Sequence, residues 1–170
     1  LAPTTSTTAQ MVMGDALAVC LMELNEFSGR DFAKYHPGGA LGKRLYLRVS
    51  DLSHQNAAPK VLPTANLKQV IVAISESLLG VTAVVNNTNE LLGIITDGDI
   101  RRLLEKTDNL AAIAASDIMN HTPKTISAES LAVEALELIK TYDISQLVVT
   151  NGSQYLGILH LHDLVREGIL

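Results

Sequence analysis

Aromatic residues are scarce in this 170-residue chain: four Tyr, two Phe and no Trp, about 4% of the total. A core without them must be built from Ile, Val, Leu and Ala, and hydrophobic residues do make up 47%. Cysteine is nearly absent too. The single Cys20 excludes an intramolecular disulfide and fits a reducing compartment, so a cytoplasmic protein is expected. No apolar run approaches the roughly 18–20 residues of a membrane span. No membrane partner is therefore expected, and the apolar excess must be buried inside the fold or between subunits. Basic residues are outnumbered, 13 Lys and Arg against 18 Asp and Glu, for a net charge of −5 with no basic stripe. That balance argues against nucleic acid as a partner. No signal peptide is expected. The opening Leu1-Ala2-Pro3 has no Met and reads as a fragment cut from something longer.

What is present is a repeat. Gly93-Ile94-Ile95-Thr96-Asp97-Gly98-Asp99-Ile100 recurs as Gly157-Ile158-Leu159-His160-Leu161-His162-Asp163-Leu164, a displacement of 64 residues (157 − 93). The same displacement maps Pro59-Lys60 onto Pro123-Lys124, Val84-Val85 onto Val148-Val149 and Arg102 onto Arg166, with no gap between Pro59 and Arg102. A long period occurring twice marks two copies of one supersecondary unit. Two like units facing each other enclose a cleft, where small ligands bind.

Each copy reads β-α-β-β-α. In the first, an extended piece at Val61-Leu62 precedes a helix over Leu67–Ser77 capped by Asn66, then strands Val81–Asn86 and Leu91–Thr96 and a helix starting near Asp97. In the second, Thr125-Ile126 precedes a helix over Leu131–Thr141, then strands Gln146–Thr150 and Tyr155–His160 around Asn151-Gly152, with a helix starting near His162. Residues 105–115 link the copies. Upstream, Thr4–Thr8 offers hydroxyls for a helix start, and a helix runs to about Asn25. Met11, Val12, Met13, Leu17, Val19, Leu21, Met22 and Leu24 leave that helix little polar face, so it needs cover from an absent N-terminal portion or another subunit. Phe27-Ser28-Gly29 breaks it, a short helix follows near Arg30–Tyr35, and His36-Pro37-Gly38-Gly39-Ala40-Leu41-Gly42 reads as a glycine-rich loop.

Several residues could carry chemistry. Asp99 suits either a helix N-cap box or the vicinal diol of a ribose, whose two hydroxyls a carboxylate accepts. Thr96 and Asp163 belong to the same cleft, and Arg101 or Arg102 could meet a phosphate. His160 and His162 alternate along one strand face, but only Asp163 stands nearby as a third ligand, so no metal is expected. Cys20, mid-helix among apolar residues, reads as packing rather than as a reactive thiol. Lys43, Arg44 and Arg48 read as surface charge, and His36 as either a loop-fixing residue or a proton carrier.

Two family resemblances sit on these residues. The Gly93, Ile94, Ile95, Thr96, Asp99 pattern resembles a CBS domain, and the repeat resembles a CBS pair. That implies an α/β (α+β) fold, with Asp99 on ribose hydroxyls and Thr96 near phosphate. The second copy keeps Gly157 and Asp163 but has His160 for Thr, so the first copy is expected to be the better half-site. Ala2-Pro3-Thr4-Thr5-Ser6-Thr7-Thr8, Met13-Gly14-Asp15-Ala16-Leu17-Ala18 and His36-Pro37-Gly38-Gly39-Ala40-Leu41-Gly42-Lys43 look like the end of a SIS (sugar isomerase) domain. Together the chain is similar to the D-arabinose 5-phosphate isomerases, which carry a SIS domain followed by a CBS pair. The resemblance implies the end of a SIS domain over 1–45, a first CBS domain over 46–110 and a second over 111–170. It implies a full-length parent that interconverts ribulose 5-phosphate and arabinose 5-phosphate on the way to Kdo and lipopolysaccharide, with His36 as an active-site histidine and this fragment inactive alone. It also implies no required cofactor, a sugar-phosphate substrate for the parent, and a regulatory nucleotide or sugar nucleotide such as CMP-Kdo bound by Thr96, Asp99, Arg101 and Asp163. The alternative is a nucleotide-sensing CBS module of a non-enzymatic regulator. The apolar first helix and the paired units, with the family's tetrameric architecture, lead us to expect a homo-oligomer. Light scattering should give a mass of at least two chains at micromolar concentration, and a monomer at every concentration would remove that expectation.

Overall fold

The computed structural model describes residues 2–35, 39–107, 109, 110 and 112–169. The chain divides into two compact units, Leu1–Leu45 and Tyr46–Leu170.

The first unit is helical. Helix α1 spans Thr4–Leu24, close to the expected limits. The Thr run lies inside it rather than capping it: the N-cap is Pro3, and the Ser6, Thr7 and Thr8 hydroxyls donate back to the Pro3 and Thr4 carbonyls. None of its residues is buried, and Met11 and Leu24 are 71% and 81% exposed. Two neighbours of seven residues each, α2 (Gly29–Tyr35) and α3 (Ala40–Tyr46), are too short to cover a helix of 21. Cys20 is exposed with the rest, so its surroundings are not the packed ones expected. Glu26, at a φ of 52°, ends α1, and Ser28 and Asp31 form the N-terminal box of α2, with the Ser28 hydroxyl donating to the Asp31 carboxylate at 2.6 Å. The glycine-rich segment is helical from Ala40 onward, so Gly42 belongs to α3 instead of a loop.

The second unit holds both copies. The first comprises β1 (Lys60–Val61), α5 (Leu67–Ser77), β2 (Val81–Val85), β3 (Leu91–Thr96) and α6 (Asp97–Lys106), preceded by α4 (Val49–Ser53). The second comprises β4 (Thr125–Ser127), α8 (Ala132–Tyr142), β5 (Gln146–Asn151), β6 (Gln154–His160) and α9 (Leu161–Arg166), preceded by α7 (Ala115–Ile118). Each forms a three-stranded sheet, β1-β2-β3 or β4-β5-β6, with the first pair parallel and the second antiparallel. The expected β-α-β-β-α order is present twice.

The register corrects the uniform displacement. Val84 pairs with Gly93 and Val149 with Gly157, so β2 maps onto β5 by 65 residues (149 − 84) while β3 maps onto β6 by 64 (157 − 93). The extra residue sits in the first hairpin. Its Asn86–Glu90 turn is folded around the Asn86 side chain, which accepts from the Thr88 and Glu90 backbone N–H groups at 3.0 and 2.8 Å. The second hairpin turns more tightly through Gly152, at a φ of 60°. Upstream of the turns, Pro59 therefore corresponds to Lys124, and their carbonyls accept from Ala83 and Val148 respectively.

The two copies close each other. Val49 and Leu52 of α4, which lies before the first copy, are buried in the core of the second with Ile126, Ala132, Leu147, Leu159 and Leu164. Ala115 of α7, which lies before the second copy, is buried in the core of the first with Leu67, Val70, Ile74, Val84 and Ile95. The exchange carries backbone bonds: Ala132 N–H donates to Leu47 and Ala115 N–H to Ala65, both at 2.8 Å. A third core, Val81, Ala83, Val85, Ile94, Val148, Tyr155 and Ile158, lies where the two sheets meet. There the Tyr155 hydroxyl donates to the Pro59 carbonyl at 3.0 Å, and burial pushes its phenol well above the usual range. The hairpins are also joined, Leu91 N–H to Ser153 and Tyr155 N–H to Asn89.

Within this packing the Thr82 hydroxyl is fully buried with no hydrogen-bond partner. Its register equivalent is the buried Leu147. An apolar group of the same shape removes that desolvation cost, so Thr82→Val should stabilise the chain by about 1 kcal/mol in denaturant titration. Leu52→Ala should cost about 2–4 kcal/mol. Because α4 closes the second core, hydrogen exchange in that variant should rise in α8 before α5.

Candidate functional site

Each copy places an aspartate three residues into the turn from its last strand to its last helix, and the surrounding bonds decide what that aspartate is free to do. In the first copy Thr96 is the N-cap of α6, and Thr96 and Asp99 satisfy each other. The Asp99 Oδ2 accepts from the Thr96 backbone N–H at 2.8 Å and its hydroxyl at 2.6 Å, while the Asp99 N–H donates back to that hydroxyl at 3.3 Å. The Oδ1 accepts from Arg102 at 2.6 Å. Burial alone raises the Asp99 pKa, but the Thr96 hydroxyl and backbone and the Arg102 guanidinium outweigh it and hold the carboxyl below its ordinary value. Of the two arginines expected near a phosphate, Arg102 is thus held on Asp99. Arg101 lines a different groove, between α5 and α6, with Ile71, Ile74 and Leu104.

In the second copy Asp163 is 4% exposed. Its Oδ2 accepts from the His160 N–H at 2.9 Å and its Oδ1 from Arg166 at 2.7 Å. The place of the Thr hydroxyl on Oδ2 is taken by a distant side chain, the Asn56 amide at 2.6 Å. The same Asn56 nitrogen donates to the Ile158 carbonyl at 3.1 Å. Asn56, His162, Asp163, Val165 and Arg166 line an open depression of about 480 Å³. Arg166 was foreshadowed by its match to Arg102. Nothing in the local pattern signals Asn56, which lies 107 residues from Asp163.

His160 does not leave a gap where the first copy has Thr96. Its Nδ1 accepts from the His162 N–H at 3.1 Å, so an imidazole does the capping work of a hydroxyl. The strand ends at His160 and α9 begins at Leu161, so the two histidines meet across a cap, with rings edge to face at 4.7 Å, rather than alternating along one strand. Among the described residues no group of three His, Cys, Asp or Glu side chains is placed to hold a metal. His36 lies outside the described residues.

The segment before each copy lies on the glycine of the other. Over Gly93 it lies tightly: Ile94 and Asn120 exchange backbone bonds at 3.0 and 2.9 Å, and a Cβ at Gly93 would stand 2.7 Å from the Asn120 carbonyl and 2.9 Å from the Met119 sulfur. Over Gly157 it is looser, with the Ser53 carbonyl at 3.9 Å and the Ala58 Cβ at 4.0 Å from the same hypothetical atom. The two half-sites are built from like parts and closed by unlike means.

Known proteins bear on this geometry. The CBS-domain family model matches residues 49–106 and 115–169. The arabinose 5-phosphate isomerase KdsD of Francisella tularensis is 47% identical over 98% of this chain and 51% of its own length. That of Yersinia pestis is 43% identical over 100% of this chain and 52% of its own. The chain thus spans about half the length of the curated relatives it matches. Among solved structures, a CBS domain protein from Pyrobaculum aerophilum complexed with AMP superposes with a TM-score of 0.62 at 21% identity, over 69% of this chain and 90% of that one. Among the described residues no helix is long and apolar enough to cross a membrane.

Burial of His160, and next to it the charge of His162, lower its pKa against the opposing pull of Asp163. The cap needs a neutral Nδ1, and the folded-state pKa lies below the ordinary 6.5. The cap's contribution is therefore whole above pH 6.5 and fades as pH falls through the lower folded value. As pH falls below 6.5 the chain should lose stability relative to His160→Thr, by up to about 1 kcal/mol, the worth of one cap. Paired thermal melts check this, and parallel pH profiles would show that His160 does not cap.

Proposed function

The chain belongs to the CBS-domain family, and from that premise we propose that it is the CBS portion of an arabinose 5-phosphate isomerase, where it binds a nucleotide and adjusts the activity of the whole enzyme. The observation that carries this reading is likeness to KdsD isomerases running from end to end of the chain, through the first unit as well as the CBS pair.

The chemistry of the whole protein would be aldose–ketose isomerisation of a pentose phosphate, in which a proton moves between adjacent carbons through an enediol. By the family resemblance His36 would carry a proton in that step, a role that suits an imidazole. The CBS pair contributes differently. A carboxylate can accept ribose hydroxyls, and an arginine next to it can meet a phosphate. A regulatory ligand must be chemically unlike the substrate and bind at a separate place, and its coupling to the active site is reciprocal. A nucleotide satisfies that requirement for a sugar-phosphate enzyme. AMP, the ligand of the Pyrobaculum neighbour, represents the class, and CMP-Kdo remains the ligand that would link binding to a lipopolysaccharide pathway.

Two measurements test the reading. Calorimetric titration of the chain with AMP and with CMP-Kdo should show saturable binding, and no heat from any nucleotide would remove the regulatory half. In the full-length isomerase, His36→Ala should lower turnover by about 100-fold or more without changing the melting temperature. Normal turnover in that variant would make His36 a loop residue.

A further inference from the structure

We propose that the two half-sites of the CBS pair are inequivalent, and that a ribonucleotide enters the second, where the Asn56 side-chain amide is an exchangeable stand-in for its ribose hydroxyls. The proposal rests on the reading that this chain binds a nucleotide and reverses the expectation that the first copy binds better.

Two acceptors in each copy decide the matter. A ribose diol seated at either site would donate to the aspartate Oδ2 and to the nearby strand carbonyl, Ile94 in the first copy and Ile158 in the second. In the first copy both acceptors are already committed to groups that cannot leave. The Asp99 Oδ2 holds the Thr96 hydroxyl and backbone N–H, which cap their own ten-residue helix. The Ile94 carbonyl holds the Asn120 N–H within a two-bond bridge whose backbone lies against Gly93. Admitting a ligand there means breaking a helix cap and peeling away a backbone bridge.

In the second copy one side chain bonds to both acceptors, and the Asp163 Oδ2 also holds the His160 backbone N–H at 2.9 Å. The two protons of the Asn56 Nδ2 reach the Asp163 Oδ2 at 2.6 Å and the Ile158 carbonyl at 3.1 Å. Rotation about the Asn56 side-chain bonds releases both of its bonds together and leaves the cap untouched, with the His160 N–H still on the Oδ2 and the His160 Nδ1 still on the His162 N–H. The amide thus presents two donors where a vicinal diol would present two hydroxyls. The depression beside it is open, and Arg166, held by the Asp163 Oδ1, stands at its edge. The Asn56 backbone lies in the segment between α4 and β1, which packs less tightly on Gly157 than its counterpart does on Gly93. Asn56 is therefore a specificity-determining residue: a ligand that cannot replace both of its bonds leaves the Ile158 carbonyl unpaired or the Asp163 Oδ2 one donor short, which selects for a diol over a single hydroxyl.

The test uses the whole chain, AMP and 2′-deoxy-AMP. Asn56→Ala removes the competitor, so AMP should bind about tenfold more tightly, while 2′-deoxy-AMP should gain less than threefold. Asp163→Asn should weaken AMP at least tenfold, and Asp99→Asn by less than twofold. If Asn56→Ala does not fold, nuclear magnetic resonance of the unmutated chain reads the same event: saturation with AMP should shift the Asn56 side-chain amide signals and expose them to solvent exchange. An unchanged or weaker AMP affinity in Asn56→Ala overturns the proposal, as does an amide signal that AMP leaves in place. Binding abolished by Asp99→Asn but not by Asp163→Asn overturns the choice of half-site and leaves nucleotide binding standing. No binding of either nucleotide to any form overturns both.

Discussion

Each half of the CBS pair lacks one wall of its own core, and the other half's leading segment supplies it. A three-stranded sheet with two helices leaves an apolar edge open. Val49 and Leu52 fill that edge for the second copy, and Ala115 does so for the first. Everything else in the second unit depends on this exchange. It brings the Leu47 carbonyl to the start of α8, which has no side-chain cap, whereas α5 is capped by its own Asn66. It presses the two sheets together over Val81, Ala83, Val148 and Ile158, and so determines where the strand ends open. Burial of aliphatic surface drives the exchange at roughly 25 cal/mol per Å². The scarcity of aromatics means that many close-packed small contacts are needed rather than a few large ones.

The same exchange creates the candidate sites. The segment that leaves α4 passes over Gly157 and reaches Asp163, and the segment that leaves α7 passes over Gly93. Both aspartates are first of all structural, since each completes the N-terminal turn of a helix and holds an arginine one turn on. Function can be layered on such a residue only where its remaining acceptor capacity is released cheaply. That distinction, not the presence of the Asp, separates the two copies. In the first the strand carbonyl is tied to backbone and the Oδ2 to the cap hydroxyl and N–H; in the second the strand carbonyl and the place of that hydroxyl are tied to one side chain that can turn away.

The divergence between the copies is consistent with this division. Thr96 and His160 do the same capping work with different atoms, which frees the second site from needing a hydroxyl. The imidazole brings a titratable proton into the cap, where a threonine has none. The one-residue difference between the hairpin turns leaves the strand pairing in register because the extra residue is absorbed beyond the last ladder pair and stabilised by the Asn86 side chain.

Much of the architecture was legible along the chain. Helical periodicity in α5 and α8, the strand pairs, the Asn66 cap and the doubled Gly-x-x-x-x-x-Asp pattern are local, and local patterns survive in a linear string. So are the family motifs, which run through both units. The uniform displacement of 64 failed at the hairpin because similar Val and Pro residues match equally well one place out, and only strand pairing distinguishes Val84 with Val149 from Val84 with Val148. The covering of each core by the other copy's helix and the partnership of Asn56 with Asp163 across 107 residues were decided by tertiary structure alone. Each depends on which groups meet after collapse. An amide can donate or accept in many settings, and its partner is chosen by packing rather than by its neighbours in sequence.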